Sequence, residues 1–267
     1  MSTRRLPRIV ALIVLAAGPA GAQGPPVVEV PAESTFLVIP MRVHLLSAAD
    51  LPEVDCHLGE ADIRRIIGKV NEIWGVAGIS FGLESIRREP AANVDRYKAA
   101  RDADPGGRAP LGACRLLAPA DSLEFDGLHV YYLHRFSVNG VYLGRDIAFV
   151  QETARLRPVE GGLDEPIPRV TAHELGHALS LPNRQAVTNL LASGNDGYTL
   201  NPEEVDRSRR RAATTPGALA WPELRRRAEA AEAAGDRQLA AQLWGWLAEV
   251  PGPSALPSRL RGLAAGP

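Results

Sequence analysis

The chain is poor in cysteine and in aromatic residues, and it carries no surplus of charge of either sign. Two cysteines in 267 residues cannot make a disulfide scaffold, so a packed core must hold the fold. Aromatics are 5% of the sequence, which leaves that core to aliphatic side chains. Thirty Lys and Arg stand against 31 Asp and Glu, so the basic excess that phosphate contacts demand is missing and a nucleic-acid binder is excluded. One apolar run opens the chain, residues 9–17, and it is too short for the roughly 20 residues that cross a bilayer. What is present is an ordinary globular mixture, 45% hydrophobic and 23% charged, with 25 Gly and 22 Pro to make turns. The length suits one large domain with a small appendage.

Arg4, Arg5 and Arg8 precede the apolar run, and Ala20-Gly21-Ala22 follows it. That order of basic, apolar and small residues predicts a secretory signal peptide over residues 1–22, a chain exported from the cytoplasm, and no membrane attachment after cleavage. An oxidising compartment would permit a bridge between Cys56 and Cys114; two separate buried thiols, or a thiolate capping a metal, are the alternatives.

Residues 23–35 read as a Pro- and Gly-rich leader. The run 36–46 is strand-like, with Pro40 predicting an edge position or a bulge. Ile63, Ile66, Ile67, Val70, Ile73, Trp74 and Ala77 recur at helical spacing, so residues 60–77 predict an amphipathic helix stopped by Gly78. Residues 79–86, 128–134 and 147–150 read as further strands, and 169–181 as a second long helix that Pro182 ends. After Pro216 the composition turns to Ala, Arg, Glu and Leu, and two helical runs broken at Gly235-Asp236 predict a helical hairpin. The fold class is therefore α+β or mixed α/β, with a main domain over 36–212 and a helical extension over 213–267. Trp74, Trp244 and Trp246 read as core, and Arg209–Arg211 and Arg225–Arg227 as solvated faces.

The chemistry sits in His173-Glu174-Leu-Gly-His177, an H-E-x-x-H pattern. Residues four apart share a helix face, so both imidazoles can reach one metal ion. Glu174 stands where its carboxylate can hold the water that the metal activates. His44, His57, His129 and His134 read as ordinary structural histidines, and the five-residue spacing of the last two keeps them off a shared metal.

The stretch His173-Glu-Leu-Gly-His177-Ala-Leu-Ser-Leu-Pro-Asn183 resembles the metzincin zinc-peptidase motif H-E-x-x-H-x-x-G-x-x-H, and Thr188–Gly194 resembles that family's Met-turn. The resemblance covers about residues 36–210, with specific motifs only in 170–194. It implies a twisted sheet backed by a long helix and an active-site helix. It also implies a Zn²⁺ held by His173, His177 and the residue at Asn183, Glu174 as general base, and a polypeptide substrate lying along a strand edge near residues 147–150. Three positions depart from the family. Ser180 replaces the Gly of the turn, Leu191 replaces the Met, and Asn183 replaces the third His, where an amide oxygen is a poor zinc ligand. Glu203, Glu204 and Asp196 are alternative third ligands, with turn chemistry the preferred role for Asp196. A secreted pseudo-peptidase that binds a partner without cutting is the rival function.

Overall fold

A run of residues buried on both faces, Leu37–Ser47, makes β1, the strand around which the sheet is ordered. The computed structural model describes residues 32, 35–104 and 109–251; the signal segment and almost all of the leader lie outside them. β1 runs into α1 (Glu60–Gly75) and returns as β2 (Ile79–Pro90), parallel to β1, as a helical crossover requires. Then follow α2 (Val94–Ala103), α3 (Ala109–Ala113), β3 (Leu128–Leu133), β4 (Gly140–Tyr142) and β5 (Ile147–Gln151). The remaining elements are α4 (Pro166–Ala178), α5 (Pro202–Ala212), β6 (Leu219–Ala220), α6 (Trp221–Ala233) and α7 (Arg237–Ala248). The sheet order is β2-β1-β3-β5-β4, parallel except for β4, and β6 adds antiparallel to the start of β1. The molecule is mixed α/β, as its sequence pattern predicts.

Period-two alternation divides the core between the two faces of this sheet. On one face Val43, Leu45, Val130 and Tyr132 pack with Ile63, Ile66, Ile67, Val70 and Trp74 of α1 and with α4. On the other, Leu46, Tyr131, Leu133 and Phe149 pack with Tyr97 of α2. Two polar contacts lock α1 in place. The Asn71 amide both donates to and accepts from the Phe81 backbone, and Trp74 Nε1 donates to the Ala172 carbonyl in α4. A third cluster seats the α6–α7 hairpin on Phe36 and Val38. There Trp246 lies so close to Gly82 that an added Cβ would come within 2.5 Å of its ring.

The structure corrects several sequence expectations. Cys56 and Cys114 are free buried thiols and do not bridge. The reason is topological: Cys56 belongs to the α1 face of the sheet and Cys114 to the opposite face. Pro40 marks a bulge, at the register shift between Met41 and Arg42, but β1 is no edge strand. Pro40 falls where β1 changes partner on one side, from β6 at Leu37–Val38 to β3 from Met41 onward, so its missing N–H breaks no ladder. β5 is flanked on both sides, and the free edge belongs to β4, a three-residue strand too short to show periodicity. Helix α5 also escapes the sequence reading, because its face is almost wholly charged. Arg209 within it is no solvated residue: it donates to the carbonyls of Ala77, Gly78 and Thr35. Trp244 is exposed while Trp246 is buried, since residues two apart on a helix cannot share a face.

Candidate metal centre

Helix α4 begins three residues before the predicted start, with Pro166 in its first turn, where a missing N–H costs nothing. Val170, Ala172, Leu175 and Ala178 bury its inner side. Its end is built by Ser180 at φ +67, in the left-handed region. The Ser180 N–H donates to the His177 carbonyl and the Leu181 N–H to that of Gly176. Those are the paired bonds of a Schellman ending, normally made by glycine. Ser180 thus performs the turn of the residue it replaces, with a left-handed conformation that costs about 1–2 kcal/mol.

That turn aims a carbonyl back at the site. His177 Nδ1 lies 2.8 Å from the Leu181 oxygen, and His173 Nδ1 lies 2.8 Å from the Leu190 oxygen. A carbonyl only accepts, and the Leu190 oxygen lies closer to His173 Nδ1 than does the Arg169 guanidinium nitrogen at 3.3 Å, so both Nδ1 atoms carry the hydrogen and both Nε2 atoms present bare lone pairs. These two Nε2 atoms face each other at 3.1 Å. Two lone pairs at that distance repel unless a cation lies between them. Two nitrogens on a tetrahedral zinc stand roughly 3.3 Å apart, given bonds of about 2.0–2.1 Å. The donor set fits a zinc-like ion, and the backbone carbonyls are the outer hydrogen bonds that fix metal-ligating imidazoles.

Arg169, one turn before His173, organises the loop that supplies one of those carbonyls. Its guanidinium is 1% exposed and donates to the oxygens of Gly197, Asn189 and Ala192. Burial pushes its pKa down to about 10. Burial, followed by this neighbouring positive charge, pushes His173 down to about 3, so the imidazole is held neutral. Leu191 in the same loop is fully buried and lies beneath the helix, where a Cβ at Gly176 would approach it to 3.1 Å.

Glu174 points to the β4 side. Burial pushes its carboxyl up to about 8, against the opposing pull of the Tyr142 N–H and of Arg169. Gly140 makes room for it: a Cβ there would sit 2.8 Å from Glu174 Oε1. The cleft in front of these groups has a volume near 290 Å³ and is lined by Val138, Gly140, Leu156, Val170, His173 and Glu174.

The residues considered for a third ligand are otherwise placed. Asn183 is exposed, and its Oδ1 accepts a hydrogen bond from Ser193 Oγ at 3.3 Å. Glu204 is buried, accepting from Arg184 and Asn189 while capping α5, and Glu203 is exposed on that helix. Asp196 accepts from the N–H of Val159, a bond between loops and not the local turn contact expected of it. Among the described residues, no third His, Cys, Asp or Glu joins His173 and His177; the one such group of three is His57, His134 and Glu152, elsewhere in the fold. His57 is therefore not isolated, which no sequence signal shows, since its partners lie 77 and 95 residues away. His129 and His134 do fall apart, the first stacking near His44 and the second meeting His57. Arg169, Gly140 and Tyr142 also escaped notice, although an Arg one turn before H-E-x-x-H on an apolar face is a readable oddity.

No family model matches the sequence, and no curated protein matches it. Among solved structures, archaemetzincin from Methanopyrus kandleri is similar at 20% identity over 69% of this chain and 95% of that one. The TM-score of 0.33 is too low to decide the chemistry, which rests on the side chains of α4 and the loops around them.

Proposed function

We propose that the protein is an exported zinc-dependent endopeptidase. The observation that carries this reading is the pair of Nε2 atoms 3.1 Å apart, each ring committed to donate from its other nitrogen. Zinc held by His173 and His177 would supply Lewis acidity toward a peptide carbonyl. Glu174, next to His173 and lining the cleft, would take a proton from water there and return it to the departing amine. The free edge of β4 offers backbone groups along which an extended polypeptide lies, and Gly140 keeps that edge close to the Glu174 carboxylate. Export rests on the signal-like residues 1–22.

One observation favours a second reading, a pseudo-peptidase that binds without cutting: Asn183 turns its oxygen to Ser193, leaving His173 and His177 without a third such ligand among the described residues. Metal analysis of purified protein, followed by digestion of a quenched fluorescent peptide pool, separates the two. The peptidase reading expects zinc and cleavage in the wild type. It also expects Glu174→Gln to keep zinc and fold while losing about 10²–10⁴ in rate. Zinc without cleavage at any loading leaves the binding protein, and a wild type whose metal content is insensitive to His173→Ala removes the peptidase reading.

A further inference from the structure

A second cluster of metal-binding side chains lies at the carboxyl ends of the parallel strands. His134 follows β3, Glu152 follows β5, and His57 lies in the loop after β1, just ahead of α1. Such strand ends are where open α/β sheets take their ligands. Glu152 Oε1 is 2.6 Å from His57 Nδ1 and 2.5 Å from His134 Nδ1, and the two nitrogens are 3.1 Å apart.

The other carboxylate oxygen shows how the cluster is held. Oε2 accepts from the backbone N–H of His57 at 2.7 Å, from that of Leu58 at 3.1 Å, and from Cys56 Sγ at 3.3 Å. Five donors thus converge on one carboxylate, more than its roughly four lone-pair positions serve well. The loop is fixed independently, because Arg88 donates to the carbonyls of Cys56 and Leu58 and the Cys56 N–H bonds to Leu46. The Cys56 thiol, buried between the sheet and this loop, serves as a donor to Glu152.

We infer that His57, His134 and Glu152 form a second binding site for a divalent transition-metal ion, with zinc as the expected occupant. Two imidazoles and one carboxylate suit zinc and exclude calcium and magnesium as the preferred ions, since those seek oxygen. Each ring ligates through Nδ1 and carries its single hydrogen on Nε2, so the ion replaces two hydrogens that crowd Oε1. Three donors around a tetrahedral ion stand roughly 3.3 Å apart, so the triangle must open by less than an ångström. His57, with 63% of its side chain exposed, is free to make that move. An ion there ties the loop after β1 to the ends of β3 and β5. It also anchors the start of the segment 134–140, whose other end lines the α4 cleft.

The test is zinc stoichiometry after chelator stripping and reloading, with thermal unfolding as a second readout. The wild type should bind two equivalents. His57→Ala and His134→Ala should each bind one, with a smaller zinc-dependent rise in Tm. The double variant His173→Ala/His177→Ala should also bind one. His57 is exposed, so its substitution leaves the fold intact. Retention of both equivalents in His57→Ala overturns the proposal, as does a wild type whose only equivalent disappears in the double variant. A single wild-type equivalent that survives the double variant and vanishes in His57→Ala upholds this site and removes the zinc from α4.

Discussion

Replacing Arg169 by Met should damage stability and metal binding together. Methionine matches the length of the buried stem but donates nothing, so the carbonyls of Asn189, Ala192 and Gly197 lose the guanidinium. The Asn189 oxygen keeps the Ala192 N–H, so two carbonyls are left without a donor. Leaving a buried carbonyl unpaired costs roughly 1–3 kcal/mol, which for two gives about 2–6 kcal/mol. Against this, a fully buried guanidinium carries a desolvation cost of several kcal/mol, which its removal returns. The net expectation is a loss of about 1–3 kcal/mol. At about 2–4 °C per kcal/mol for a chain of this size, Tm should fall by roughly 2–12 °C. The same loop carries Leu190, whose carbonyl holds His173 in register. Zinc affinity at α4 should therefore drop by the 10–100-fold typical of lost outer hydrogen bonds. Circular dichroism melts of the metal-free protein and competition titration with a chromogenic chelator measure the two effects. Arg169→Lys, which keeps the charge without the fork, should fall between. A metal-free Arg169→Met protein with Tm within about 2 °C of wild type and unchanged zinc affinity would refute the clamp.

Asn183→His should tighten zinc binding and raise any cleavage together, read by the same titration and a peptide assay; no gain in either shows that this position lies outside the metal's reach. His44 is completely buried, and burial, followed by His129 and by Arg42 and Arg87, pushes it down to about 2. Glu89, the carboxyl 2.8 Å from its Nδ1, is raised by burial. A depressed histidine contributes stability that is present above pH 6.5 and lost progressively toward pH 2, at up to about 1.4 kcal/mol per unit. His44→Gln should flatten that acid slope in urea denaturation between pH 6.5 and 4.5, and an unchanged slope would show that other groups set it. Alkylation should add two labels to the denatured, unreduced protein and none to the native one, because both thiols are buried and pushed up by burial; a mass two hydrogens short, with no label, would restore the disulfide.

Periodicity alone located α1, the parallel strands β1, β2, β3 and β5, and the terminal hairpin, because each has a long apolar face that only one partner surface can cover. The H-E-x-x-H spacing likewise determined that His173 and His177 share a face of α4, since helical geometry is local. What lies beyond one helix turn was set by tertiary structure. Whether Cys56 meets Cys114 depends on which face of the sheet each loop crosses, and no spacing records that. The edge strand β4 emerges only when β5 is found paired on both sides, and three residues carry no pattern. The tautomers of His173 and His177 follow from carbonyls of Leu181 and Leu190, placed by a left-handed serine and by a buried arginine. The His57–His134–Glu152 cluster is the extreme case. Its members are scattered in sequence and come together because parallel strands end side by side, so that three loops separated by many residues open onto one point.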